Sequence, residues 1–191
     1  MIHAYRQETV KKEREATQSS ADDCLRKIVI IDMMLKITKG NYIADNNILF
    51  IVGYNAPYAE RTIRECRKKG ELLDITHNKA SKSAIFPING NVVVTAVALP
   101  TMISRINGEK DMNLTRITKE CYVPAGNITA IMDYREEPSV RRKVQRMKET
   151  GGVRDMTRRK PTKSAVFMVD GTVILSPDAT DTIVKHYDAI S

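Results

Sequence analysis

The stretch "DMTRRKPTKSAVF" (155–167) repeats, with substitutions, the earlier stretch "DITHNKASKSAIF" (74–86). The Asp, the Thr, the Lys-Ser-Ala run and the closing Phe recur in register. Between them the second copy reads Arg158-Arg159-Lys160 where the first reads His77-Asn78-Lys79. Working outward, the likeness extends across most of the chain. "LKITKGNYIADNNILFIVGYNAP" (35–57) aligns with "LTRITKECYVPAGNITAIMDYREEP" (114–138), the second copy being shifted by one residue at its start and one residue longer before its Pro138. "PYAERTIRECRKKGELLDIT" follows against "PSVRRKVQRMKETGGVRDMT", and "KSAIFPINGNVVV" against "KSAVFMVDGTVIL". Register held from Leu35 to Ile106 and from Leu114 to Tyr187 identifies a tandem duplication. The joining piece "NGEKDM" (107–112) is short, so the two copies are expected to pack closely.

Each copy reads as a ββαββα unit, giving an α+β fold of two tandem repeats arranged as a pseudo-dimer. The runs "NYIADNNILFIVG" and "CYVPAGNITAIMD" are β-rich and broken by Asn and Gly, as a hairpin would be. Pro57 and Pro138 suit a first helical turn, and Gly70 and Gly151 suit a helix end. Ala59, Ile63 and Cys66 share one helix face, as do Val140, Val144 and Met147 in the second copy. Asn89-Gly90 and Asp170-Gly171 mark a second hairpin. A short closing helix turns Met102, Ile103 and Ile106 inward, or Ile183, Val184 and Tyr187. The chain therefore divides into a polar arm over 1–24, a first repeat over 25–106 and a second over 113–191. Units of this size have small cores, and Ile28–Ile31 and Leu49–Val52 are expected to exceed what one unit buries.

Composition narrows the function. Of 191 residues, 42% are hydrophobic, a globular proportion, and the formal net charge of +8 favours a polyanionic partner. The charge excess falls on the two repeats, about +5 over 33–106 and about +4 over 113–191, while 1–32 sums to about zero. The stretch "MIHAYRQETVKKEREATQ" lacks the apolar centre of a signal peptide. Cys24, Cys66 and Cys121 are scattered without C-x-x-C spacing, which argues for reduced thiols in a cytoplasm and against a zinc site.

An ordered series of motifs resembles a known family. Gly40-Asn41 with Asn46, a Pro-started basic helix ending at Gly70, Asp74-Ile75-Thr76, and a basic loop with hairpin from Lys79 to Val94 recur as Pro138–Gly151, Asp155-Met156-Thr157, "RRKPTKSA" and "VFMVDGTVILS". The series resembles the RemA-type extracellular matrix regulators of Gram-positive bacteria. The resemblance implies a DNA-binding fold related to the LytTR type, subunits joined in closed rings, and duplex DNA contacted along a basic rim to control biofilm matrix genes. Family members are single-repeat proteins, so this chain departs in being a fused pair. Asn47 and Asn127 stand where the family has an arginine. The family's paired arginines survive best as Arg158, Arg159 and Lys160.

The residues themselves support phosphate binding. Arg158, Arg159, Lys160 and Lys163 fall within six positions, and arginine brings forked donors suited to phosphate and to a narrow minor groove. Lys79 and Lys82 form the weaker first-copy counterpart, with Arg141 and Arg142 as helix candidates. Arg61, Arg64, Arg67, Lys68 and Lys148 share the alternative of an ordinary solvated face. Catalysis finds little footing. His3, His77 and His186 lack ligand-spaced partners, "DYREE" (133–137) reads as a solvated turn, and no nucleotide-loop or nucleophile-elbow motif occurs. The expectation is a cytoplasmic, nucleoid-associated, non-enzymatic regulator that forms homo-oligomers, binds duplex DNA and needs no metal or cofactor. The alternative is an interaction protein that joins or poisons rings of a single-repeat relative.

Overall fold

The computed structural model describes residues 34–109 and 113–189, which fall in one compact unit beginning at Met33. The polar arm and the apolar segment through Ile31 lie outside the described residues. The first repeat runs β1 (Met34–Thr38), β2 (Asn41–Ala44), a 3-10 turn (Asp45–Asn47), β3 (Ile48–Gly53), α1 (Pro57–Lys69), β4 (Leu72–Asp74), β5 (Ser83–Pro87), β6 (Val92–Thr95) and α2 (Leu99–Glu109). The second repeats this order. It comprises β7 (Leu114–Thr118), β8 (Cys121–Pro124), a 3-10 turn (Ala125–Asn127), β9 (Ile128–Asp133), α3 (Pro138–Glu149), β10 (Val153–Asp155), β11 (Ser164–Met168), β12 (Val173–Ser176) and α4 (Thr180–Asp188). The fold is α+β with two tandem units. Each unit holds two strands more than the ββαββα reading, an opening β1 or β7 and a three-residue β4 or β10.

Local chemistry sets the elements. Pro57 and Pro138 open α1 and α3, where a missing N–H costs nothing. Gly70 ends α1 at φ 75°, and Gly151, at φ 74°, lies one residue beyond the α3 cap. Ala59 and Ile63, and Val140, Val144 and Met147, are the buried faces of these helices. Around Gly90 and Gly171 the chain turns back so that β5 pairs antiparallel with β6, and β11 with β12.

The expected hairpin through "NYIADNNILFIVG" does not form. β2 pairs with β1, and β3 turns its free edge to the other repeat: Ile51 pairs with Tyr122 and Val52 with Cys121, antiparallel. The hairpin β7–β8 thereby joins the first repeat's strands in a six-stranded sheet, β4-β6-β5-β3-β8-β7. The second repeat keeps four strands, β10-β12-β11-β9, and β1–β2 stands as a two-stranded sheet. Two further bonds cross the junction. The Gly53 N–H donates to the Glu120 carbonyl at 2.9 Å, and the Asn127 amide donates to the Ile48 carbonyl at 2.7 Å.

Packing follows the pairing. One cluster mixes both repeats, joining Phe50, Val52, Ala59 and Ile63 to Ile117, Cys121, Met156 and Ile183. A second gathers Leu35, Ile37, Ile51, Ile85, Met102 and Ile106 with Leu114 of the second repeat. Leu49–Val52 are buried within the chain with strands of both repeats around them: β3 is paired with β5 of its own repeat and β8 of the other, and both its faces are packed. A third and smaller cluster, Val140, Val144, Met147, Ala165, Val173 and Leu175, belongs to the second repeat alone. Val184, expected to face inward, is exposed, whereas its counterpart Ile103 packs on the second cluster. Burial pushes the Cys121 thiol up to about 12, so it stays protonated and inert.

Arg154 staples the junction. Its guanidinium lies 5.1 Å from the centre of the Phe50 ring, pairs with Asp170 at 2.8 Å and reaches the Tyr58 hydroxyl at 3.5 Å. Phe50 stacks on Phe86 at 4.5 Å, so the charge rests on an aromatic platform. Partial burial alone would raise the Asp170 carboxyl; hydrogen bonds from Thr172 and Arg154 outweigh it and hold the group below its usual value of 3.8. A depressed carboxyl contributes stability above its unfolded pKa and loses it as pH falls through the folded one. Arg154→Ala is therefore expected to cost about 2–3 kcal/mol in urea denaturation, from the lost pair and the lost ring contact. Asp170→Asn should flatten the stability profile below about pH 4. Both variants should unfold in one transition, since the repeats share a core; two separated transitions in the wild type would contradict it.

Candidate nucleic-acid interface

The site grows from a turn. Asp155 Oδ1 accepts hydrogen bonds from the Thr157 N–H at 2.9 Å and hydroxyl at 2.6 Å, and Thr157 is buried. The Lys160 N–H donates to the Thr157 carbonyl at 3.0 Å, closing a four-residue turn around Arg158 (φ 54°) and Arg159 (φ 65°). Two successive left-handed residues are the type I′ pattern, which ordinarily selects Asn or Gly. Each costs an L-residue roughly 1–2 kcal/mol. The first repeat builds the same turn from His77 (φ 52°) and Asn78 (φ 63°), with Asp74 bonded to Thr76 at 3.0 and 2.7 Å. Bonds from the Thr76 hydroxyl and then its N–H hold the Asp74 carboxyl below its usual value. The strain thus falls on two arginines in one copy and on a tolerant Asn in the other.

The junction carries this turn onto the first repeat. The Arg158 guanidinium pairs with Glu120, in the β7–β8 turn, and lies 3.4 Å from the Asn55 carbonyl just before α1. Two clefts meet at Arg158. One, of about 370 Å³, is lined by Val52, Arg116, Lys119, Glu120, Lys160 and Asp178, among others. The other, of about 830 Å³, is lined by Asn55, Tyr58, Arg61, Asp155 and Arg159, with Glu120 and Arg158 again. The loop cations of the second repeat therefore share a surface with Arg61 of the first repeat's helix. Arg159 and Lys160 are exposed on it.

The remaining candidates scatter. Lys163 is half-buried, its backbone tied to Ser176 and Tyr134. Lys79 and Lys82 are exposed on the first repeat's loop and lie outside both clefts. Arg141 turns back to the carbonyls of Tyr134 and Arg135, while Arg142 is exposed on α3. Asn127, standing at a family arginine position, serves the junction instead, and Asn47 bonds the Asn89 carbonyl of its own repeat at 3.2 Å. Sequence reading missed Arg116, Lys119 and Glu120. A signal existed in the turn itself, where "TKGN" becomes "TKEC" between copies. The two clefts together carry six cations, Arg61, Arg116, Lys119, Arg158, Arg159 and Lys160, against three carboxylates, Glu120, Asp155 and Asp178, an excess suited to an extended anion. Among the described residues no cluster of His, Cys, Asp or Glu could hold a metal, and no helix is long and apolar enough to cross a membrane.

The turn yields a stability test. Arg159→Gly should raise stability by about 0.5–1 kcal/mol, because glycine adopts positive φ without steric cost. Asp155→Ala should lower it by about 1–2 kcal/mol by leaving the Thr157 donors without an acceptor. Thermal unfolding of the two variants beside the wild type checks both signs.

Comparison with known proteins also finds two units in tandem. The RemA-like family, extracellular matrix regulatory protein A-like, matches residues 34–106 and again 114–186. A protein of Halothermothrix orenii is 28% identical over 76 residues, 40% of this chain and 90% of its own length. Proteins of Bacillus cytotoxicus and Bacillus mycoides are each 29% identical over 79 residues, 41% of this chain and 91% of theirs. All three are provisionally named regulatory proteins. One repeat of this chain thus accounts for nearly a whole relative. With both repeats matched in tandem, the chain belongs to the RemA-like family and contains two of its units.

Proposed function

We propose that this protein is a DNA-binding regulator, with no catalytic step of its own, that acts in an assembled form on duplex DNA and controls extracellular matrix genes. The observation that carries the reading is the shared surface where Arg158 and Arg159 of the second repeat lie beside Arg61 of the first, with Lys160 in the adjoining cleft. Spaced cations around a groove neutralise phosphates along a strand, and the strained turn ties Arg158 to Glu120 while leaving Arg159 and Lys160 exposed beside it. The exposed candidates sit on turns and short helices that offer no long recognition helix, so base reading is weak and DNA shape and backbone dominate. Family membership supports a regulatory role, and the control of matrix genes rests on that membership.

Phosphate binding has a signature in salt. Affinity for a mixed-sequence duplex should fall by orders of magnitude between about 50 and 200 mM salt, as release of several counterions requires. Fluorescence anisotropy across that range checks it; a salt-insensitive complex, or no complex at the low end, sinks the reading. Replacing Arg158, Arg159 and Lys160 by Ala should remove most of the affinity, whereas replacing Lys79 and Lys82 should have a smaller effect. Equal losses would contradict the asymmetry between the copies.

A further inference from the structure

The smaller cleft at the junction has features that a DNA backbone does not use. Its volume, about 370 Å³, is in the range of pockets that hold small molecules. Its floor is recessed. Val52, Ala56 and Met156, together with Thr118 and Thr157, are buried residues that nevertheless line it. Pro57 and Pro177 add apolar walls. A backbone phosphate has no apolar surface to bury and meets exposed cations such as Arg159, which lines only the other cleft. The recess therefore suits a ligand with a compact body as well as charge.

Three cations supply that charge. Among the described residues, Arg116, Lys119 and Lys160 take part in no ion pair, while Arg158 is tied to Glu120. Arg116 stands out. It is half-buried on β7, and its Nε is buried without a hydrogen-bond partner among the described residues. A desolvated guanidinium donor without an acceptor is costly, and an anion beside it offsets that cost. The helix α1 also begins at this cleft. Its cap residue, Ala56, has no side-chain acceptor for the first-turn N–H groups, so this end favours an anion. One carboxylate balances the set. Asp178 lines the cleft, pairs with no cation among the described residues, and can accept a hydrogen bond from a hydroxyl or amino group.

We propose that this cleft binds a small organic phosphate. Its phosphate is held by Arg116, Lys119 and Lys160, its body lies on Val52, Ala56 and Met156, and a donor on that body meets Asp178. Nucleoside monophosphates and sugar phosphates share this chemistry. The first repeat keeps cations at the matching positions, Lys36, Lys39 and Lys79, but has Val97 in place of Asp178 and Gly40 in place of Glu120. The complete set therefore occurs once per chain. Arg158 lines both clefts, so a phosphate bound in the smaller one competes with Glu120 for it and engages Lys160 as well. Cations held by the ligand are withdrawn from duplex DNA, and by linkage each partner weakens the other. The site stands apart from the duplex-binding reading; only this competition rests on it.

Titration calorimetry on the full-length protein without DNA, at physiological salt, tests the site with AMP, ribose-5-phosphate, inorganic phosphate and adenosine. At least one of the two organic phosphates should bind once per chain, about tenfold or more tighter than either inorganic phosphate or adenosine. The tighter of the two identifies the body as nucleoside or sugar. Arg116→Gln and Lys119→Gln should each weaken binding about tenfold, and Lys119 is exposed, so its variant keeps the fold. Glu120→Gln should tighten binding severalfold by freeing Arg158, a gain that misfolding cannot produce. Lys79→Gln, outside both clefts, should change nothing. Failure of both organic phosphates to bind overturns the proposal. So does inorganic phosphate bound as tightly, or an affinity unmoved by Arg116→Gln and Lys119→Gln. A Glu120→Gln chain that binds no tighter overturns the competition for Arg158. Fluorescence anisotropy with duplex then reads the coupling: a saturating organic phosphate should weaken duplex affinity about tenfold, and an unchanged affinity overturns it. A chain that binds the organic phosphate but no duplex at low salt counts against the DNA reading alone.

Discussion

Everything in this fold hangs on one strand pairing, β3 with β8. A unit of about seventy residues has a small core of its own, and β3 is apolar on both faces. Only when the hairpin of the following repeat closes its edge do Leu49–Val52 become wholly buried. The six-stranded sheet, the mixed core cluster and the bonds to Glu120 and Ile48 all follow from that edge being filled. The second repeat is built from the same pattern, but among the described residues no hairpin pairs with the second edge of β9. Its edge strand shows the consequence, with Met132 exposed and a smaller separate cluster behind it.

The same pairing creates the candidate interface. A turn bearing two arginines at positive φ is an awkward object in isolation, strained and self-repelling. The junction sets it against the start of α1, where Glu120 and the Asn55 carbonyl anchor Arg158. One guanidinium is thus held by the protein, while Arg159 remains exposed beside Arg61 and Lys160 in the adjoining cleft. Anchoring one cation to orient its neighbours lowers the ordering cost of meeting an extended anion.

Local features were legible in the sequence, and contacts across the junction were not. The helices after Pro57 and Pro138, their buried faces and the Gly-centred hairpins each depend on residues within a few positions of one another. The duplication was legible for a different reason, since register over a whole unit needs no structural model. The partner of β3 could not be read, because a β-rich run broken by Asn fits a hairpin as well as two strands that pair elsewhere. Arg154 was invisible for the same reason: its ring and its carboxylate are set by the junction and by the hairpin turn. The left-handed turn was masked by the arginines themselves, with only Asn78 in the first copy hinting at it. Val184 was misjudged because helical spacing gives a face but not whether anything lies opposite.

Fusing two units frees their shared joint from a restriction that identical subunits face. In a ring of one repeated unit every joint must use the same residues, so a change on one surface alters all of them. Here the inner joint has acquired Arg154 on Phe50 and Arg158 on Glu120, while the corresponding positions of the other repeat carry Leu73, Ala130, His77 and Gly40. The charged groups stabilise a contact that is always formed, where desolvating them is offset once, during folding. The division of labour between the repeats, one presenting strained arginines and the other a milder loop, is then a second product of the same freedom. It requires only that each copy keep the Asp-x-Thr lock beneath its turn, and both do.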